Sequence, residues 1–400
     1  MKAAPLDIVL VVGELSGDQL GFKLMQALRT ETDGAVHFRG TAGPAMSAEG
    51  MESLFPLEDI AVMGFLPVIA RFRTIYRRAW QTINSIVDNP PDALVIIDSP
   101  DFTHAVAKRV RRRLPDLPII NYVSPSVWAW RPGRAAKMRA YVDHVLALLP
   151  FEPAAHRRLG GPACTYVGHP LIERLNELRP SVEDEGRARR ETPVLLVLPG
   201  SRRSEIERLS SVFGETVARL AQRTTFELVL PAAPRQVERI RAAVASWPIK
   251  PRIVEGEGEK LAAFRSARAA LAASGTVSLE LALARVPHVG AYRVPALEAA
   301  IARRLIQVRH ILPPNIILDE RAFPEFVQED ANPTVLSEAL EPLLSDTPER
   351  GAQLAAADRV LGAMQIGPVA PSTLAARIVL DTMRGKRSRS LTKLTAHHEA

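Results

Sequence analysis

Four hundred residues with 51 Lys and Arg against 44 Asp and Glu carry a formal charge of +7. At ~100–200 residues per domain that length favours two domains, and 47% hydrophobic with 24% charged residues excludes disorder as the global state. The single cysteine, Cys164, excludes an internal disulfide framework and any metal cluster built from thiolates.

Taken in chain order, the first residues run into a six-residue apolar stretch too short for a secretory signal. Residues 7–12 read as a buried strand and 19–29 as the helix after it. The longest apolar run, 60–70, is broken by Pro67 and falls short of the ~18 residues that span a bilayer. A soluble or peripheral, cytoplasmic protein is the expectation. Strand-length apolar runs recur at 93–97, 119–123, 145–149 and 165–167. Past Arg174 the chain turns polar, and then 194–198, 226–230, 269–273 and 288–292 restart the alternation. Short continuous apolar strands separated by helices read as parallel sheets covered on both faces. The fold class is therefore α/β, with two Rossmann-like doubly wound parallel-sheet domains facing a cleft. The expected domains span 1–175 and 190–370. Helical wording after 370 would let the chain pack back on the first domain or on a partner chain, and 384–400 reads as a flexible basic tail.

The charge is uneven. Residues 64–87 carry +4 and residues 102–114 carry +5, both without an acid, and the last 17 residues carry +4, which leaves the rest at −6. Local basic stretches on a slightly acidic body argue against a nucleic-acid binder and for local anionic contacts.

In doubly wound sheets, ligands sit beyond the carboxyl ends of the strands. After the first strand come Gly13, Glu14, Leu15, Ser16, Gly17 and Asp18. This is a turn and helix N-terminus suited to an anion or hydroxyl, or a plain turn with Asp18 as N-cap. Asp98 ends the strand 93–97. Its carboxylate could take a proton from an attacking hydroxyl, or hydrogen-bond to loop N–H groups. Asp101 reads as the cap of the next helix. Ser124, Ser126 and Trp128 lie in a Ser/Pro-rich loop that serves as a stacking or acyl-contact wall, or as ordinary aromatic packing. His169 has no second ligand at metal spacing and reads as a neutral histidine that hydrogen-bonds across the domain boundary. Gly200, Ser201 and Arg202 follow the strand 194–198 with close backbone approach, a hydroxyl, a permanent cation and a helix N-terminus. Those features suit a phosphate or diphosphate, against the alternative of a surface turn. Ser274, Gly275 and Thr276 suit phosphate again, and Glu280, one turn on, suits a ribose diol; a plain helix cap is the other reading. Residues 64–87 set Phe65, Leu66, Val68, Ile69 and Phe72 beside Arg71 and Arg73. That pattern fits an interfacial basic helix or a core helix with a solvated edge.

These motifs resemble the lipid-A-disaccharide synthase family of inverting glycosyltransferases. They comprise GELSGD (13–18), AGPAMSAEG (42–50), VMG (62–64), IDSPDF (97–102), YVSPSVWAWR (122–131) and LPFEP (149–153). VGHPL (167–171), LPGSRRSEI (198–206), ASGTVSLE (273–280), AYR (291–293), PPN (313–315) and PEFVQ (324–328) complete the set, in the family's order. The resemblance implies the two-domain B-type fold. It also implies condensation of UDP-2,3-diacylglucosamine with 2,3-diacylglucosamine 1-phosphate into a β-1′,6-linked disaccharide, with UDP released. It makes Asp98 the base and Gly200, Ser201 and Arg202 the diphosphate holders. Ser274, Gly275, Thr276, Glu280, Tyr292, Arg293, Asn315, Glu325 and Gln328 would surround the rest of the donor. Glu14, Ser16, Asp18, Ser124, Ser126, Trp128 and His169 would line the acceptor side. It implies no metal and no other cofactor, an inner-membrane surface as partner, and a homodimer with exchanged C-terminal segments. Another UDP-sugar enzyme of the same fold, such as a peptidoglycan glycosyltransferase or an epimerase, and a non-catalytic lipid-binding protein are the alternatives. Three positions depart from the family pattern: Val12 for alanine, Thr103 for asparagine and Asp319 for glycine. None is expected to touch a residue assigned to chemistry.

Overall fold

The structure, a computed structural model, describes residues 4–61, 71–181, 192–233, 236–295, 298–299 and 308–398, with side chains as far as 386. It divides into two compact units. The first holds 1–170 together with 366–400, and the second holds 171–365.

The first unit is built on six parallel strands: β1 (Leu6–Val12), β2 (Val36–Thr41), β3 (Ala93–Ile97), β4 (Ile119–Tyr122), β5 (His144–Ala147) and β6 (Ala163–Tyr166), in the order β2-β1-β3-β4-β5-β6. Residues 8–12 of β1 and all of β3 are apolar and buried because helices cover both faces. The order reverses direction between β1 and β3, so the loops after these two strands splay apart and leave a crevice. Gly13 and Asp98 stand there. A Cβ on Gly13 would come within 2.4 Å of Ser99 Cβ, so only glycine allows the two loops this approach. The helix Leu15–Glu31 starts earlier than its apolar pattern implied, with Glu14 at the N-cap. Ser16, Gly17 and Asp18 thus lie in its first turn and not in a loop.

The second unit repeats the plan with β7 (Val194–Leu198), β8 (Glu227–Ala232), β9 (Arg252–Glu255), β10 (Ala267–Ala273), β11 (His288–Tyr292) and β12 (Glu325–Val327). The order is β12-β11-β10-β7-β8-β9, also all parallel, with its reversal between β7 and β10. The expected phosphate loops, Gly200–Arg202 and Ser274–Thr276, follow those two strands.

The helix Pro371–His398 returns to the first unit. Ala375, Ala376, Val379, Leu380 and Met383 enter that unit's core, and Arg377 pairs with Glu31 at 3.1 Å. Its backbone continues through most of the stretch expected to be a tail. Among the described residues no helix is long and apolar enough to cross a membrane.

Candidate active site

Asp98 and Ser99 both adopt left-handed backbone, with φ of 53° and 42°. Non-glycine residues enter that region at a steric cost, so their surroundings must hold them there. Thr103 does this: its buried hydroxyl donates to the carbonyls of Asp98 (2.7 Å) and Ser99 (3.1 Å). The expectation that Thr103 stands apart from the chemistry is therefore corrected. A threonine serves because its hydroxyl reaches back to carbonyls four and five residues upstream. The twist leaves the half-buried Asp98 carboxylate with two partners. Ser16 Oγ donates to Oδ2 at 2.9 Å, and the Ser99 N–H donates to Oδ1 at 2.8 Å.

Asp18 behaves differently. It is 1% exposed and accepts from three backbone N–H groups, Gly43 (2.8 Å), Ala45 (2.8 Å) and Met46 (3.1 Å). It caps the short helix Pro44–Ala48, not its own helix. A Cβ at Gly43 would fall 2.6 Å from Asp18 Cγ, which explains why the two motifs need each other.

The Ser/Pro-rich loop is pinned from beneath. Trp128 packs edge-on against Phe151 (5.0 Å) and its indole N–H donates to Glu152 at 3.1 Å. Glu152 also accepts from the N–H groups of Leu148 and Leu149, both at 3.0 Å. Burial pushes its carboxyl up to about 7 against these bonds. Trp128 is thus packing under a loop. Ser124 is buried and shares a 2.9 Å hydrogen bond with His156, while Ser126 is exposed. Burial lowers His169 to about 4, so its ring is neutral at neutral pH.

In the second unit a 410 Å³ cavity opens at the β7/β10 reversal, lined by Gly200, Ser201, Arg202, Lys260, Ser274–Thr276 and Glu280 among others. Gly200 has φ 115° and a Cβ there would meet Glu205 Oε2 at 2.5 Å. Glu205 accepts from the N–H groups of Ser201 (3.1 Å) and Arg202 (3.2 Å), closing a capping box with Arg202. Those two N–H groups are already bonded. What remains for an anion is the exposed Ser201 hydroxyl, the half-exposed Arg202 side chain and the first turn of the helix Thr276–Leu283. Glu280 pairs with Lys260 at 2.7 Å. Lys260 was missed because β9, whose end precedes the helix Glu257–Ser266 that carries it, does not read as a strand in the sequence.

The remaining donor expectations do not line this cavity. Asn315 is fully buried and bonds the Phe323 backbone through both amide atoms (2.8 and 2.9 Å). Glu325 accepts from the N–H groups of Ile311 and Leu312, both at 2.9 Å, and meets His310 at 2.7 Å. Gln328 bonds both backbone groups of Val294. Arg293 donates to the carbonyls of Gln328 and Ala331. These four side chains fix the loop around β12 from within, and Tyr292 ends β11 half-buried. Asp319 sits in left-handed backbone (φ 49°) as the C-cap of the helix Pro313–Leu318, a place where glycine is unstrained and Asp tolerated.

Of the proposed membrane residues, Phe65, Leu66, Val68 and Ile69 lie outside the described residues. Phe72 is 62% exposed at the start of the helix Phe72–Asp88, with Tyr76 at 49% beside it and Arg71 and Arg73 exposed as well.

Residues 8–379 match the family Lipid-A-disaccharide synthetase. Lipid-A-disaccharide synthases of Nitrobacter winogradskyi and Bradyrhizobium diazoefficiens are 54% and 53% identical, over 96% and 95% of this chain and 97% of each of theirs. Among solved structures, Acinetobacter baumannii MurG aligns with a TM-score of 0.60 at 14% identity, over 94% of this chain and 100% of its own. UDP-GlcNAc 2-epimerase from Neisseria meningitidis aligns with a TM-score of 0.59 at 12% identity, over 95% and 100%. At such identities these neighbours establish the two-domain B-type glycosyltransferase fold alone. With the relatives and the family match spanning nearly its whole length, the chain belongs to the lipid-A-disaccharide synthetase family.

Proposed function

We propose that the chain transfers the diacylglucosamine of UDP-2,3-diacylglucosamine to the 6-hydroxyl of 2,3-diacylglucosamine 1-phosphate, with Asp98 as the base. In this reading the acceptor hydroxyl gives its proton to the Asp98 carboxylate as its oxygen bonds to the anomeric carbon. The bond to the diphosphate breaks with its electron pair on the leaving oxygen, giving inversion in one displacement. Arg202, the Ser201 hydroxyl and the Thr276–Leu283 helix N-terminus would meet the charge that develops on UDP. The observation that carries the reading is the half-buried Asp98 carboxylate. It stands at the β1/β3 reversal with a serine hydroxyl on one oxygen and the adjacent N–H on the other, so lone pairs remain to take a proton. Exposed Phe72 and Tyr76 with their flanking arginines would rest on an anionic bilayer surface, where both acylated substrates reside.

The test is turnover of the two acylated sugars to disaccharide and UDP. Asp98→Asn, which keeps shape and loses the base, should lower kcat by about 10²–10⁴-fold with donor KM unchanged. Near-normal turnover in that variant would remove Asp98 from the role.

A further inference from the structure

Beside Asp98, the first unit holds a second cavity. It has a volume of 550 Å³ and starts at Pro100 and Asp101, immediately after the strained Asp98–Ser99 pair. Its walls are the helix Pro100–Arg113 and the segment from Arg131 to Tyr141. Five cations line it, Lys108, Arg109, Arg131, Arg134 and Lys137, against one carboxylate, Asp101. That carboxylate is 88% exposed and reaches Arg134 at 3.2 Å, so it offsets little of the charge. No other acid lines the walls.

The cations are held in place. Arg131 adopts φ 53°, unfavourable for a long side chain, and its guanidinium lies 4.3 Å from the Trp130 ring centroid. Lys108 lies 5.1 Å from the Tyr141 ring centroid. The interior end is polar but neutral: His104 is buried between the Tyr141 hydroxyl (3.0 Å) and Asn121 Oδ1 (3.1 Å). Burial, then the charge of Arg134, hold His104 down to about 4. Desolvation, then Arg134, Lys137 and Arg109, lower Lys108 from its ordinary value. Five like charges gathered around one cavity repel one another until an anion enters. Guanidinium and ammonium groups from two sides match the tetrahedral, doubly charged head of a phosphomonoester.

We infer that this cavity binds a phosphomonoester, and that its occupant is the anomeric phosphate of the acceptor sugar. The assignment rests on the function proposed above, which requires an acceptor carrying a phosphate at one end and its reacting hydroxyl near Asp98. The cavity anchors the charged end and thereby orients the hydroxyl. A lipid headgroup phosphate shares the chemistry and is separated by experiment.

Arg131 and Lys137 are exposed, so R131A/K137A leaves the core intact, and Arg139→Ala on the same segment, outside the cavity, is the control. Calorimetric titration compares glucosamine 1-phosphate with glucosamine. The native chain should prefer the phosphate, and the double variant should lose about tenfold or more in affinity while the control does not. In turnover, acceptor KM should rise by a similar factor with donor KM unchanged. Unchanged binding of glucosamine 1-phosphate in the double variant, with sedimentation on phosphatidylglycerol vesicles also unchanged, overturns the site. Retained sugar-phosphate binding with lost sedimentation on phosphatidylglycerol vesicles overturns the acceptor assignment in favour of a headgroup. A native chain that makes no disaccharide, yet binds glucosamine 1-phosphate through Arg131 and Lys137, overturns the function and upholds the site.

Discussion

The cavities at Gly200–Arg202 and at Arg131–Lys137 both carry arginine and lysine on their walls, yet they hold their charge in opposite ways. In the second unit Arg202 is paired with Glu205 and Lys260 with Glu280, each at 2.7 Å, and Glu257 also lines the pocket, so its cations are fully matched by acids when it is empty. In the first unit five cations share one exposed carboxylate. A matched pocket recognises by shape: a glycine that lets backbone approach, a helix end, a hydroxyl. An unmatched one recognises by net charge. A count of basic residues along the chain cannot separate the two cases, because the compensating acids arrive from elsewhere in the fold.

The largest test of this contrast is Arg202→Ala. Loss of a charge-assisted bond of about 1.5–3 kcal/mol should raise donor KM by about 10–100-fold and leave acceptor KM unchanged. If acceptor KM moves instead, the matched pocket is not the donor's. Thr103→Val comes next, because it removes the hydroxyl that holds the carbonyls of Asp98 and Ser99. A neutral buried bond of about 0.5–1.5 kcal/mol translates into roughly a 2–10-fold drop in kcat with both KM values kept. A variant indistinguishable from the native chain would show that the Asp98 backbone is held by other contacts. The smallest effect is ionic. Raising ionic strength from ~0.1 M to ~1 M shortens the screening length from about 10 Å to 3 Å, so acceptor KM should rise several-fold more than donor KM. Equal salt sensitivity would erase the distinction between the cavities.

The sheet interiors were legible as sequence and the sheet rims were not. β3 and β7, and residues 8–12 of β1 and 269–273 of β10, are buried on both faces and so read as unbroken apolar runs. β2, β9 and β12 went unread, and all three lie at sheet edges, where residues such as His37, Arg39, Arg252 and Glu255 alternate with buried ones. An edge strand has one neighbour and partial cover, so its residues no longer need to be apolar. The same division runs through the site. The loops after the central strands were identifiable because the ends of parallel strands are where ligands collect. Which polar side chains face that space was not, because Asp18, Asn315, Glu325 and Gln328 bond to backbone groups 8 to 34 residues away. Asp98 and Asp18 are the same residue type beyond the ends of adjacent strands, β3 and β1. Three backbone donors make one a structural cap, and the other keeps a hydroxyl and a single N–H.

The return of the helix Pro371–His398 to the first unit sets an order of events on the ribosome. All of the second unit, 171–365, is synthesised before Val379, Leu380 and Met383 become available to the core they complete. At ~5–20 residues per second, 195 intervening residues take roughly 10–40 s. For that interval the second unit can fold to completion while the first waits with an uncovered apolar face along the helix Leu15–Glu31. The chain that starts first is thus the last to be finished, and the nascent first unit is the part most in need of a chaperone.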